Sequence, residues 1–63
     1  MKLTLKTLRI NKGLRQVDMA VALGVNRKTV AAWEKGESLP AVDKIDAICE
    51  LFSVSYDDIK WKP

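Results

Sequence analysis

Apolar residues along this chain recur every three or four positions rather than every second one, and Gly13, Gly24, Gly36 and Pro40 cut the pattern into short segments. That spacing predicts an all-α fold. Thr4 is placed to cap a first helix over Leu5 to Asn11, with Leu5 and Leu8 on one face and Gly13 ending it. A second helix is expected from Gln16 to Leu23, with Val17, Ala20, Val21 and Leu23 as its inner stripe and Gly24 suited to the left-handed position past its end. Asn26 is a good N-cap for a third helix reaching Lys35, in which Val30 and Trp33 face inward and Gly36 is the stop. Beyond the loop Glu37 to Pro40, Val42, Ile45, Ile48, Cys49 and Phe52 step by three and four along a fourth and longest helix, the expected backbone of the core. Ser55 followed by Asp58 resembles a capping box with an acid in place of Glu, which opens a short fifth helix through Ile59 or Trp61. The expected architecture is a five-helix bundle in a single domain over residues 1–63.

Composition narrows the chemistry. The 63 residues leave room for one modest core and no second catalytic or regulatory domain. Hydrophobic residues at 48% and charged residues at 30% describe a globular chain. No apolar run approaches the roughly 20 residues that span a bilayer, and no signal-peptide stretch opens the chain, which points to the cytoplasm. With no histidine and one cysteine, neither an internal disulfide nor a zinc site is expected. Cys49, between Ile48 and Phe52, is read as a small core residue rather than a reactive thiol. No cofactor is implied, and an enzyme is the weakest functional class, since histidine is absent and a chain this short offers no deep pocket.

The net charge of +3 is modest, but it is unevenly placed. Residues 1–36 hold eight basic groups against two acidic ones, and residues 37–63 hold three against six. A polyanion is attracted to the first half and repelled by the second. Within the first half, Gln16 to Glu34 contains two short helices joined through Gly24, Val25 and Asn26, the geometry of a helix-turn-helix. Gly24 permits the sharp turn, Val25 is expected to be buried, and Ala20 is small enough for close helix approach. Glycine-turned helical hairpins also occur in unrelated bundles. More pointed are Arg27 and Lys28 in the first turn of the third helix, where the helix dipole disfavours cations by ~0.3–1 kcal/mol each. Arg15 sits at the start of the second helix, where Ser, Thr, Asp or Asn caps better. An exposed basic pair alone is as often plain solvated surface; three basic residues at two helix starts in a basic half point to an anionic partner, a phosphate or a guanine edge.

Gly13-Leu14-Arg15-Gln16, Ala20, Leu23-Gly24-Val25-Asn26-Arg27-Lys28-Thr29-Val30, Trp33-Glu34-Lys35-Gly36, Leu39-Pro40 and Val54-Ser55 together resemble the phage repressor and Cro-like helix-turn-helix domains, the XRE family, from Leu5 to Ile59. The resemblance implies a lambda-repressor-like five-helix bundle whose third helix enters the major groove, commonly as a homodimer on a two-fold double-stranded DNA operator. It places Asn26, Arg27, Lys28 and Ala32 where the family reads base edges. Gln16 falls where a glutamine contacts phosphate and braces the reading helix, and Arg15, Lys35 and Ser38 fall near the DNA backbone. Arg9 and Glu34 match a partly buried structural salt bridge. Arg15 replaces a common threonine or asparagine, and Ser53 a frequent glycine that tolerates left-handed backbone.

The leading expectation is therefore a sequence-specific DNA-binding regulator, repressor or Cro-like, of phage or mobile-element type, with no membrane and no small-molecule effector. The competing class is a protein-interaction module, an antitoxin or adaptor, working through its acidic fourth helix or Trp61 tail. Tyr56, Ile59 and Trp61 either complete the bundle or form an apolar patch that pairs two subunits.

Overall fold

Thr4 starts the first helix as a side-chain cap, its Oγ1 accepting from the Thr7 backbone N–H at 3.1 Å. A computed structural model describes residues 2–62; Met1 and Pro63, at the ends of the expected domain, lie outside the described residues. Four α-helices follow in order: α1 (Leu5–Asn11), α2 (Gln16–Leu23), α3 (Arg27–Lys35) and α4 (Val42–Phe52).

All four close by one device. A residue with positive φ follows each helix, and the next N–H reaches back five residues: Leu14 to Arg9, Val25 to Ala20, Glu37 to Ala32 and Val54 to Cys49, at 3.0–3.1 Å. This satisfies carbonyls the helix end would otherwise leave without a donor. Glycine supplies the turn three times, whereas Ser53 does so at φ 54° and ψ 45°, a conformation that sets its Cβ against the backbone.

The core is built mainly across α2 and α3. Leu5 and Leu8 of α1, Met19, Ala20 and Leu23 of α2, Val30 and Trp33 of α3, and Ile48 of α4 are buried together with Ile59. Two expectations are corrected here. Met19, not Val17 or Val21, completes the inner stripe of α2, and Val21 is 77% exposed. The segment QVDMAVAL is apolar nearly all round, so periodicity alone cannot choose its face; packing against α3 through Ala20 and Leu23 does. In α4, Val42 is exposed and only Ile48 is fully buried, with Cys49 and Phe52 half-buried against the core, so α4 covers the core rather than forming its backbone.

The expected fifth helix is the third correction. Ser55 and Asp58 do open a turn, the Ser55 N–H donating to Asp58 Oδ2 at 2.9 Å. It runs for one 3-10 turn, Tyr56–Asp58, and then becomes extended. Ile59–Lys60 (β2) pairs in parallel with Leu3–Thr4 (β1), Leu3 opposite Ile59 and Thr4 opposite Lys60. Three residues cannot carry the cost of nucleating a helix, while extension buries Ile59 to 1% exposure and gives both chain ends backbone partners. The fold is a mostly helical bundle of four α-helices stapled by a short parallel pair.

Candidate nucleic-acid interface

The joint between α2 and α3 decides which residues reach the surface. Gly24 takes the left-handed conformation, φ 69° and ψ 33°, and half-buried Val25 packs against the core. Lys44 of α4 donates from Nζ to the Leu23 carbonyl at 2.8 Å, placing a cation at the negative end of the α2 dipole. Asn26 is extended, and its Oδ1 accepts the Lys28 N–H at 2.8 Å. With the chain turned this way, Asn26, Arg27 and Lys28 stand exposed at the start of α3. Lys35 is exposed at the far end of α3 and Ser38 just beyond it, and Ala32, midway along the helix, is half-buried. Arg15 is exposed at the start of α2, beside half-buried Gln16.

Beneath this surface a side-chain chain of hydrogen bonds joins three helices. Arg9 of α1 donates to Glu34 of α3 through Nε (2.6 Å) and Nη2 (3.2 Å), and to the Leu14 carbonyl through Nη1 (2.9 Å). The Arg9 and Glu34 side chains are only 11% and 4% exposed. Gln16 Nε2 then donates to Glu34 Oε1 at 3.1 Å, and Gln16 Oε1 accepts from Arg27 Nη1 at 3.1 Å. Gln16 and Arg27 lie eleven positions apart on different helices, so no spacing in the chain announces their contact.

The electrostatics separate the two helix starts. Arg15 does not burden α2 as its position implies, because Asp18 sits in the same turn. The Arg15 N–H and Nε both reach Asp18 Oδ2, at 2.9 and 3.0 Å, and Nη2 reaches Oδ1 at 3.0 Å. The guanidinium hydrogen bond, with the backbone one behind it, holds the Asp18 carboxyl below its ordinary range and raises Arg15 in return. The α3 start has no acid in its first turn. Among the described residues the ion pairs are Arg9–Glu34 and Arg15–Asp18, so Lys2, Lys6, Lys12, Arg27, Lys28 and Lys35 have no acidic partner there. The basic half therefore acts on its surroundings with almost undiluted charge.

At the opposite end, Tyr56 is exposed and stacks on Trp61 with ring centroids 5.3 Å apart, while the Trp61 Nε1–H donates to the Tyr56 carbonyl. Ile59 is buried in the core, and half-buried Trp61 packs against it. Burial, then Asp46 and Asp58, push the Cys49 thiol up, away from the reactive thiolate.

A profile described as helix-turn-helix matches residues 5–59. The chain is 39% identical over 61 residues, 97% of its length and 92% of the other's, to the uncharacterised HTH-type transcriptional regulator YgzD of Bacillus subtilis. It is 38% identical over 55 residues to the antitoxin PezA of Streptococcus pneumoniae, covering 87% of this chain and 35% of that one. It is 34% identical over 55 residues to the HTH-type transcriptional activator BcrR of Enterococcus faecalis, covering 87% of this chain and 27% of that one. The chain thus spans nearly the whole of the first relative and about a third or less of the other two. Among the described residues, no helix is long and apolar enough to cross a membrane.

Proposed function

The chain belongs to the helix-turn-helix family and is a DNA-binding transcriptional regulator, and from that premise we propose that α3 reads the major groove of a double-stranded operator. At nine residues, α3 is ~13 Å long, comparable to the groove's ~12 Å width, so its first turn reaches base edges while its flanks meet the two backbones. Arg27 and Lys28 donate to guanine O6 and N7, and the Ala32 methyl meets a thymine methyl. Asn26 contributes its NH2 group, because its Oδ1 already caps α3. Arg15, Gln16, Lys35 and Ser38 contact phosphates and fix the register. The observation that carries this reading is the exposed Arg27–Lys28 pair in a helix turn without an acid, a local cost that bound DNA removes.

The protein acts in the cytoplasm as a homodimer on a two-fold site, with half-sites one helical turn, ~34 Å, apart, and requires no effector or cofactor. Selection from a random duplex pool tests this: symmetric half-sites enriched in guanine support it, and no enrichment at low ionic strength refutes it. Affinity falls steeply as salt rises, by a logarithmic slope of about −0.9 per phosphate neutralised. The likeness to an antitoxin favours one alternative, a protein-binding role for the exposed Tyr56–Trp61 end and the acidic α4. Capture of a protein partner without retardation of any duplex is the result that favours it.

A further inference from the structure

The parallel pair of β1 and β2 carries Lys60 and Lys62, two of the three cations in residues 37–63, back to Lys2 and Lys6 of the basic half. Side chains along an extended segment alternate between its faces, and burial here follows that alternation. Ile59 is buried, Lys60 exposed, Trp61 half-buried and Lys62 exposed, while Leu3 packs on the core and Lys2 before it is exposed. The outer side of the pair is therefore a lysine face. Lys60 stands opposite Thr4, so by strand spacing its Cα lies roughly 7 Å from that of Lys62 and roughly 8 Å from that of Lys2. Lys6 is exposed in the first turn of α1. None of the four has an ion-pair partner among the described residues. The acids in the turn before β2 are Asp57 and Asp58, and Asp58 Oδ2 already accepts the Ser55 N–H.

We infer that this lysine face is a second DNA contact, which grips the phosphate backbone of a duplex other than the one α3 reads, so that the bound protein holds two DNA segments together. Its place in the fold sets it apart from the groove. The link of Arg9 to Glu34 ties the end of α1 to the reading helix, and β1 lies before the start of α1, a helix ~10 Å long. From the other side, the whole of α4, ~16 Å, separates Ser38 from the turn into β2. The face holds lysines and no arginine, asparagine or glutamine, which suits hydrated point cations that meet phosphates without reading bases. One strand of a duplex offers a phosphate every ~3.4 Å of its axis, so neighbouring lysines at strand spacing meet phosphates about two steps apart. The acids Asp43, Asp46 and Glu50, exposed on α4 of a second copy, are the weaker counterpart. Exposed ion pairs contribute little, whereas each phosphate neutralised also releases a counterion. In a dimer, like charge keeps the two lysine faces off the subunit contact. This contact adds to the proposed operator binding and does not depend on which bases α3 reads.

The test fixes the duplex selected from the random pool to beads, saturates it with protein, and titrates a fluorescent random duplex onto the washed complex. The native chain is compared with the triple variant Lys2→Gln, Lys60→Gln, Lys62→Gln, with the same three positions changed to arginine, and with Arg27→Ala, each signal normalised to the protein held on the beads. The native complex is expected to capture the second duplex, with an affinity that falls roughly fortyfold between 50 and 200 mM salt for three phosphates neutralised. The glutamine variant, altered only at exposed positions, is expected to lose that capture roughly tenfold or more at 50 mM salt and to keep its affinity for the bead duplex within about twofold. The arginine variant retains capture, because charge is what the face supplies. Arg27→Ala, at equal loading, captures the second duplex as the native chain does. The inference is overturned by a native complex that captures no second duplex at 50 mM salt, or by equal capture in the glutamine variant. Equal loss on both duplexes assigns the lysines to the operator contact and also overturns it. So does capture that disappears in Arg27→Ala, which marks a free reading helix as the holder, or a second layer of protein in place of DNA, which marks a contact between copies. A native chain without any preferred duplex sinks the base-reading role instead, and the same titration on a random bead duplex then decides the lysine face.

Discussion

Removing the Glu34 carboxylate by Glu34→Ala strikes the network where it is least hydrated. The glutamate side chain is 4% exposed and the arginine 11%. After truncation Arg9 keeps one partner, the Leu14 carbonyl, and its charge stays in a poorly solvated site. Breaking such a pair from one side costs ~3–5 kcal/mol. A chain of 63 residues at ~0.05–0.15 kcal/mol per residue has only ~3–9 kcal/mol in total, so the loss takes a third of the stability at the least and can take all of it. With Tm moving ~4–8 °C per kcal/mol in domains of this size, a fall of at least about 12 °C is expected. Urea denaturation followed by tryptophan fluorescence reads the change directly, because Trp33 is 4% exposed in the core. Replacing both partners, Arg9→Met with Glu34→Leu, removes two desolvated charges at once and is expected to restore stability to within about 1 kcal/mol of native or above it. A cost below about 1 kcal/mol for Glu34→Ala, or a double variant as unstable as the single one, refutes the reasoning.

Three further outcomes follow from other parts of the structure. Ser53→Gly relieves left-handed strain of ~1–2 kcal/mol against ~0.4–1 kcal/mol of added unfolded-chain freedom, so a net gain of about 0.5–1 kcal/mol is expected in thermal unfolding; a loss contradicts the φ of 54°. On α2, Met19→Ala is expected to cost ~2–5 kcal/mol while Val21→Thr changes stability by under about 0.5 kcal/mol, and the reverse order in denaturation curves returns Val21 to the core. Asp18 is lowered by Arg15, so its contribution is present above the ordinary carboxylate value of about 4 and disappears as the pH falls through the lowered folded value. Asp18→Asn is therefore expected to flatten the acid limb of a stability-against-pH curve measured at low salt, and an unaltered limb contradicts the pairing.

Much of the bundle was legible because its punctuation is chemical. Thr4 and Asn26 can accept an orphan helix N–H where an apolar residue cannot, and the glycines mark left-handed closures. The outward position of Arg27 and Lys28 was legible for a similar reason, since two unpaired cations have no place in a core this small. What stayed hidden depends on distant partners. The extended run at Ile59 is dictated by Leu3, at the other end of the chain, and no local propensity carries that information. Val17 and Val21 were misplaced because an all-apolar helix lacks the polar contrast that fixes its rotation. At the interface, Arg15 read as an uncompensated cation only while Asp18 was counted as charge rather than as a partner one turn away. The resemblance gave Gln16 a bracing role, but which α3 side chain it meets, Arg27, could be named only once the two helices were docked.

The central claim, that Arg27 on an exposed α3 turn reads guanine in the major groove, is tested most directly with 7-deazaguanine. Replacing each guanine of the selected duplex in turn deletes its N7 acceptor from the major groove and leaves pairing and the minor groove as they were. The native chain is expected to lose roughly fivefold to tenfold in affinity at one guanine per half-site, and Arg27→Ala to be indifferent at that same position. Unchanged native binding at every guanine, or an equal loss in Arg27→Ala, contradicts it.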